Sequence, residues 1–215
     1  TWTGGPAGAA PHWLGLDAWE AGDAVWIDTD AQALLHGPSL DRLGALSVRA
    51  PDGSRAKLVA LREITGDVRW AVPDYPPEAL TGVDGDLVIE AGATEWPALQ
   101  VVAGDLWVQG PAVTGVFLPA LVAVGGRVAV RGAALAELVW SRLQWVGDAL
   151  GDKAGPGIEI AACPELRRVA LDDLARVHAG DGVAVHVHGN PKLCTPPRFG
   201  AVPADAVRYA AACRR

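Results

Sequence analysis

The chain has 215 residues, half of them hydrophobic, with 26 Gly, 16 Pro, three Cys, no Met and a formal net charge of −7. That length and apolar share allow one sizeable core without metals or a disulfide scaffold, and the Gly and Pro content excludes a helical bundle in favour of turn-rich β structure. The acidic balance argues against nucleic acid, whose phosphates need a basic surface, and against an anionic membrane; no apolar run reaches the roughly 18 residues that cross a bilayer.

From the N-terminus, the sequence starts at Thr1 without Met, which reads as a removed leader or a piece of a longer protein. The Ala/Gly/Arg/Val-heavy composition with few Lys reads as the product of a GC-rich bacterial gene. Residues 1–21 carry no repeat and form a predicted tail and cap, with Trp13, Leu14, Leu16 and Trp19 near one face of a short helix.

From Gly22 a unit recurs. A Gly precedes a short alternating apolar run in "GDAVWI", "GALSV", "GDVRW", "GDLVI", "GDLWV" and "GRVAV", at Gly22, 44, 66, 85, 104 and 126, so the intervals are 22, 22, 19, 19 and 22 residues. Related runs follow from Pro156 and Gly182. A second signature, apolar-x-x-Leu-x-x-(Val/Ile)-x-Gly, precedes several of these glycines, as in "LVALREITG", "WPALQVVAG" and "LPALVAVGG". A period near 20 residues is a solenoid signature. Each run supplies a strand too short to bury its own apolar face, and parallel stacking solves this for all rungs at once.

The alternation predicts an inward ladder of Val68/Trp70, Leu87/Ile89, Leu106/Val108, Val128/Val130, Ile158/Ile160 and Val185/Val187. It predicts a second ladder from Leu61, Leu99, Leu121, Leu143 and Leu174 with Ile64, Val102, Val124, Val146 and Val177. The Gly before each strand reads as a corner where φ turns positive. The long interval after Gly126 places an insertion at 147–156, "GDALGDKAGP".

Cys163, Cys194 and Cys213 fit neither a disulfide scaffold nor a four-ligand zinc site; one pair and one leftover is the natural reading. The repeat units, "CPELRRV" at 163–169 and above all "GNPKLC" at 189–194 resemble the receptor L-domain, the leucine-rich-repeat-like β-solenoid of insulin and epidermal growth factor receptor ectodomains. The resemblance spans roughly residues 22–213. It implies a mainly β, right-handed parallel solenoid of about eight short rungs: cap at 1–21, repeats at 22–194, C-terminal cap at 195–215. It also implies a Cys194–Cys213 disulfide closing the end, hence an oxidising, extracellular or cell-surface setting, and a broad sheet face that holds ligands. Cys163 aligns with Asn190 and reads as a buried free thiol at a turn.

Chemistry is sparse. His186 and His188 share one strand face and supply at most two metal ligands where three are needed, so a solvent-facing pair is the expectation, with His178 and Asp181 nearby in sequence. The "GD" aspartates lack a calcium-loop pattern and read as acceptors for backbone N–H groups. No cofactor motif is present. The outward row of the main strands runs Trp26, Ser47, Arg69, Val88, Trp107, Ala129, Glu159 and His186, with no paired carboxylates for glycoside chemistry. Trp145 sits at an outward position of the second ladder. Trp26, Arg69, Val88, Trp107 and Trp145 are therefore the candidate binding residues, because exposed Trp and Arg are the usual interface anchors. The expected function is non-catalytic recognition of a protein or glycan at a cell surface. The alternatives are a carbohydrate-active β-helix enzyme and a structural spacer.

Overall fold

A computed structural model describes residues 2–3, 12–15, 22–29, 32–51, 54–72, 76–147, 155–178 and 182–210. The fold is a parallel β-solenoid of about eight turns. Its largest sheet has ten strands in sequence order along the axis, including Ala24–Asp28, Ala45–Arg49, Val68–Ala71, Leu87–Ile89, Leu106–Gln109, Val128–Arg131, Ile158–Ala161 and Val185–His188. A second sheet stacks seven two-residue strands, from Arg42–Leu43 to Arg176–Val177. Three shorter sheets complete the third side of the rungs.

The register is the one the repeat predicts. Leu87 pairs with Val68 and Leu106, and Ile89 with Trp70 and Val108; Val128 and Val130 continue to Ile158 and Ile160, then to Val185 and Val187. All of these side chains are buried, so the strands present one face to a continuous core. The second ladder is equally closed except at Val177, which is only partly buried at the end of its sheet. The apolar-x-x-Leu signature is a recurring turn: the N–H of Leu61, Leu80, Leu99, Leu121, Leu143 and Leu174 donates to the carbonyl three residues earlier, at 3.2–3.4 Å. Trp70 and Trp96 meet edge to face at 5.7 Å inside this core.

The glycine corners have a different cause from the one expected. Gly22 has φ of 106°, but Gly44, 66, 85, 104 and 126 do not have positive φ. They are required by close approach between rungs. A Cβ on Gly85, Gly104 or Gly126 would lie 2.3, 2.3 and 2.1 Å from the Oδ1 of Asp67, Asp86 and Asp105 of the preceding rung. Those aspartates do what the sequence suggested. Asp67 Oδ1 accepts from Asp86 N at 2.9 Å, Asp86 Oδ1 from Asp105 N at 2.7 Å, and Asp105 Oδ1 from Arg127 N at 2.7 Å. Gly and Asp thus form one interlocked device: the missing side chain of one rung makes room for the acceptor of the rung before.

The ends also depart from the expectation. Trp2–Thr3 adds a strand to the main sheet, and His12–Gly15 pairs in parallel with Ala33–His36, so the described part of the N-terminal segment continues the stacking instead of forming a helical cap. Its backbone follows the open edge of the first rung, which satisfies hydrogen bonds that a helix would leave unmet. Leu16 and Trp19 lie outside the described residues. At the other end Val207–Tyr209 pairs with Val185–Val187, and the Tyr209 hydroxyl donates to Leu193 O at 2.7 Å. Cys163 is a free, buried thiol next to Asn190: Cys163 N donates to Asn190 Oδ1 at 2.8 Å, and Asn190 Nδ2 donates to Ile160 O at 3.0 Å. Cys213, Asp181 and most of the 147–156 insertion lie outside the described residues.

Candidate functional site

A ten-stranded parallel sheet has one outer face, and alternation decides which residues occupy it. The outward row is aligned as predicted: Trp26 beside Ser47, then Arg69, Val88, Trp107, Ala129, Glu159 and His186, with Arg208 beyond. Trp26 is 49% exposed, Arg69 is exposed, Val88 and Trp107 are half-buried, and Ala129 is covered. Arg69, Val88 and Trp107 are adjacent on successive rungs; Ser47 separates them from Trp26. Trp145 is 46% exposed but belongs to the seven-stranded sheet, between Ala123 and Arg176, so it does not join the other four.

A second outward row, two residues further along each strand, escaped the motif reading. It includes Asp28, Arg49, Glu90, Gln109, Arg131 and His188. Extending the same alternation by one step finds it. The two rows lock together. Arg49 pairs with Asp28. Glu90 accepts from Arg69 Nε at 2.6 Å, from Arg69 Nη2 at 2.9 Å and from Gln109 Nε2 at 3.0 Å. Arg131 pairs with Glu159 and lies 5.5 Å from the Trp107 ring centroid, a cation–π distance. His188 Nε2 is 3.3 Å from Glu159 Oε1, and the His186 and His188 rings lie 4.3 Å apart.

Two carboxyl groups on this face, Glu90 and Glu159, are held ionised. Partial burial pushes Glu90 up, but hydrogen bonds from Arg69 and Gln109 and the charge of Arg69 outweigh it, leaving its pKa below the ordinary value. Glu159 behaves alike: burial opposes, and Arg131 and His188 prevail. His186 is pushed down, first by burial and then by the charges of His188 and Arg208. Glu90 and Glu159 stand three rungs apart. At about 4.8 Å per rung their backbones are about 14 Å apart along the axis, beyond the roughly 5–10 Å that a pair of glycosidase acids spans.

Among the described residues no three His, Cys, Asp or Glu side chains are grouped to hold a metal ion. His178 ends the seven-stranded sheet, bonded through its backbone to Val146 and Gly157, and does not approach His186 and His188 as a ligand. No helix among the described residues is long and apolar enough to cross a membrane. Comparison with family models, with curated proteins and with solved structures found no match. Geometry and chemistry therefore carry the functional reading alone.

Proposed function

We propose that the protein is a non-catalytic recognition module, of receptor L-domain type, that works at a cell surface and receives its partner on the outer face of the ten-stranded sheet. The observation that carries this reading is the row Arg69–Val88–Trp107 beside the braced polar row Glu90–Gln109–Arg131. The half-buried indole of Trp107, next to planar amide, carboxylate and guanidinium groups, suits a sugar ring: its open part meets the C–H face while the planar groups address neighbouring hydroxyls. Of a protein and a glycan, the glycan is favoured. Ser47 and Arg69 cut Trp26 off from the Val88–Trp107 pair, so the apolar patch is small, whereas a protein interface of standard size wants a contiguous desolvated centre within about 800 Å² per partner. The wide separation of Glu90 and Glu159, each tied to an Arg, supports binding over glycoside hydrolysis.

An extracellular setting and a Cys194–Cys213 disulfide belong to the same reading. Cys163 is buried, with its pKa raised chiefly by burial, and is the free thiol among the described cysteines, which supports that pairing. Non-reducing peptide mass mapping should link Cys194 to Cys213; a link to Cys163 would remove this part. The binding test is a glycan-array and cell-surface screen of wild type against Trp107→Ala. Loss of the wild-type signal, with an unchanged circular dichroism spectrum, is the expected outcome. An unaltered binding profile would discard the sheet face as the binding site.

A further inference from the structure

A concave site lies on a different side of the solenoid from the ten-stranded sheet. Charge is unevenly distributed along the chain: residues 1–107 hold 16 of the 25 acids but only 6 of the 18 Lys and Arg, so the C-terminal half is net basic. Within that half, Arg167, Arg168, Val169, Thr195, Pro196 and Arg198 line one cavity of about 320 Å³. The fold assembles it from two neighbouring strands of the third side. Arg168–Leu171 pairs with Arg198–Phe199, Ala170 against Arg198 and Leu171 against Phe199, and the Thr195-Pro196 segment leads into the outer strand.

Three arginines thus line one groove. Val169 is buried beneath it, and Thr195 and Pro196 belong to its wall. The carboxylates nearby leave these cations unevenly engaged. Arg198 Nη2 donates to Asp172 Oδ2 at 2.5 Å, Arg168 Nη1 is 3.5 Å from Glu137 Oε2, and Glu165 is taken by Lys192 at 2.5 Å. Arg167 has no ion pair or side-chain hydrogen bond among the described residues; its charge acts on Glu165 only as a lesser influence behind Lys192. Its backbone N–H, bonded to Ala136 O at 2.8 Å, fixes where the side chain starts. The pairs that exist are solvent-exposed and therefore weak, so an incoming oxyanion can compete for the same guanidinium groups.

We propose that this groove binds the carboxylate or sulfate of an anionic saccharide unit. Guanidinium forks match the planar carboxylate and the sulfate oxygens. The volume is far more than a bare sulfate fills, and Pro196 in the wall offers the remainder of a ring an apolar surface. The ligand class rests on the carbohydrate reading above, but the place does not rest on the sheet face.

The test measures binding of polygalacturonate and of dextran sulfate to the full chain, with neutral dextran, inorganic sulfate and poly-glutamate as further probes. Wild type is compared with the double variant Arg167→Gln/Arg198→Gln and with Trp107→Ala. Both arginines are exposed, so the double variant should keep the wild-type melting curve. At least one acidic polysaccharide should bind in a salt-sensitive manner. The double variant should weaken it roughly ten-fold or more, as expected for losing charge-assisted hydrogen bonds, while Trp107→Ala leaves it unchanged. The polymer that responds identifies the group: polygalacturonate a carboxylate, dextran sulfate a sulfate. Equal binding by the double variant overturns the proposal, as does absence of binding at low salt. Loss in Trp107→Ala alone would move the acidic chain to the sheet face and also overturn it. Full competition by inorganic sulfate, or tighter binding of poly-glutamate than of either polysaccharide, would overturn the saccharide assignment.

Discussion

The glycine–aspartate corner and the outer face of the ten-stranded sheet are separated by only one or two residues of each rung, yet they obey opposite rules. At the corner, the rungs from Gly66 to Gly126 must match their neighbours, because Gly104 has room only if it lacks a side chain and Asp86 has a partner only if the next N–H arrives on register. On the outer face nothing forces Trp107 to resemble Val88 or Ala129, its neighbours in the ladder. Repetition therefore marks what the solenoid needs to stand, and departure from it marks where a surface is free to be specialised.

The sharpest way to break that contrast is at the corner. Gly104→Ala places a Cβ 2.7 Å from Gly85 backbone atoms as well as against Asp86, so the rungs must separate locally; urea denaturation should show a loss of about 3 kcal/mol or more. Trp107→Ala, three residues away but outward, should cost under about 1 kcal/mol in the same assay. If the two substitutions cost the same, the division between corner and face is wrong.

A somewhat smaller effect is expected at Asn190, whose amide serves two buried backbone groups of the preceding rung. Asn190→Ala leaves Cys163 N and Ile160 O without that partner and should lower stability by about 2–3 kcal/mol. Asn190→Asp can still accept but no longer donate, so by the same measure it should fall short of wild type too.

The outer face should answer to pH. Glu90 has a folded pKa below its ordinary value of 4.5. Its contribution is thus fully present above that pH and disappears as pH falls through the lower folded value. Because Arg69 is largely exposed, the contribution should stay under about 1 kcal/mol. Melting temperatures from pH 7 to pH 3 should show the gap between wild type and Glu90→Gln closing below the ordinary Glu pKa. A gap that widens in acid would contradict the bracing arrangement.

The smallest effect should be a gain. Gly110, Gly132 and Gly189 follow their main strands with positive φ, and Ala162 occupies the same ladder position with φ of 55°. Ala162→Gly relieves that backbone cost but loosens the unfolded chain, so the net stabilisation should be below about 1 kcal/mol, read as a small rise in melting temperature.

Much of this was legible because a repeat is its own alignment. Periodic glycines and apolar pairs placed Leu87 against Leu106 and Cys163 against Asn190 without any structure. What escaped is what repetition does not constrain. The second outward row was missed because Glu90, Gln109 and Arg131 share no residue type; only their packing reveals the brace. The origin of the glycine requirement was misread because a close approach between rungs leaves the same mark in a sequence as a positive φ. The N-terminal segment read as helix because isolated apolar residues fit either period when no neighbouring strand is known. The groove between Arg168–Leu171 and Arg198–Phe199 unites positions about thirty apart, and no local pattern announces it.

The bracing on the sheet face bears on how cheaply anything can land there. Arg69, Gln109 and Arg131 are long side chains that ordinarily surrender rotamer freedom when a partner arrives, at about 0.5–1.5 kcal/mol each. Here Glu90 holds Arg69 and Gln109, and Glu159 holds Arg131, by hydrogen bonds that narrow their rotamer choice in advance. A visitor would meet side chains that are already partly ordered, and removing Glu90 should weaken its grip even if the visitor never touches that residue.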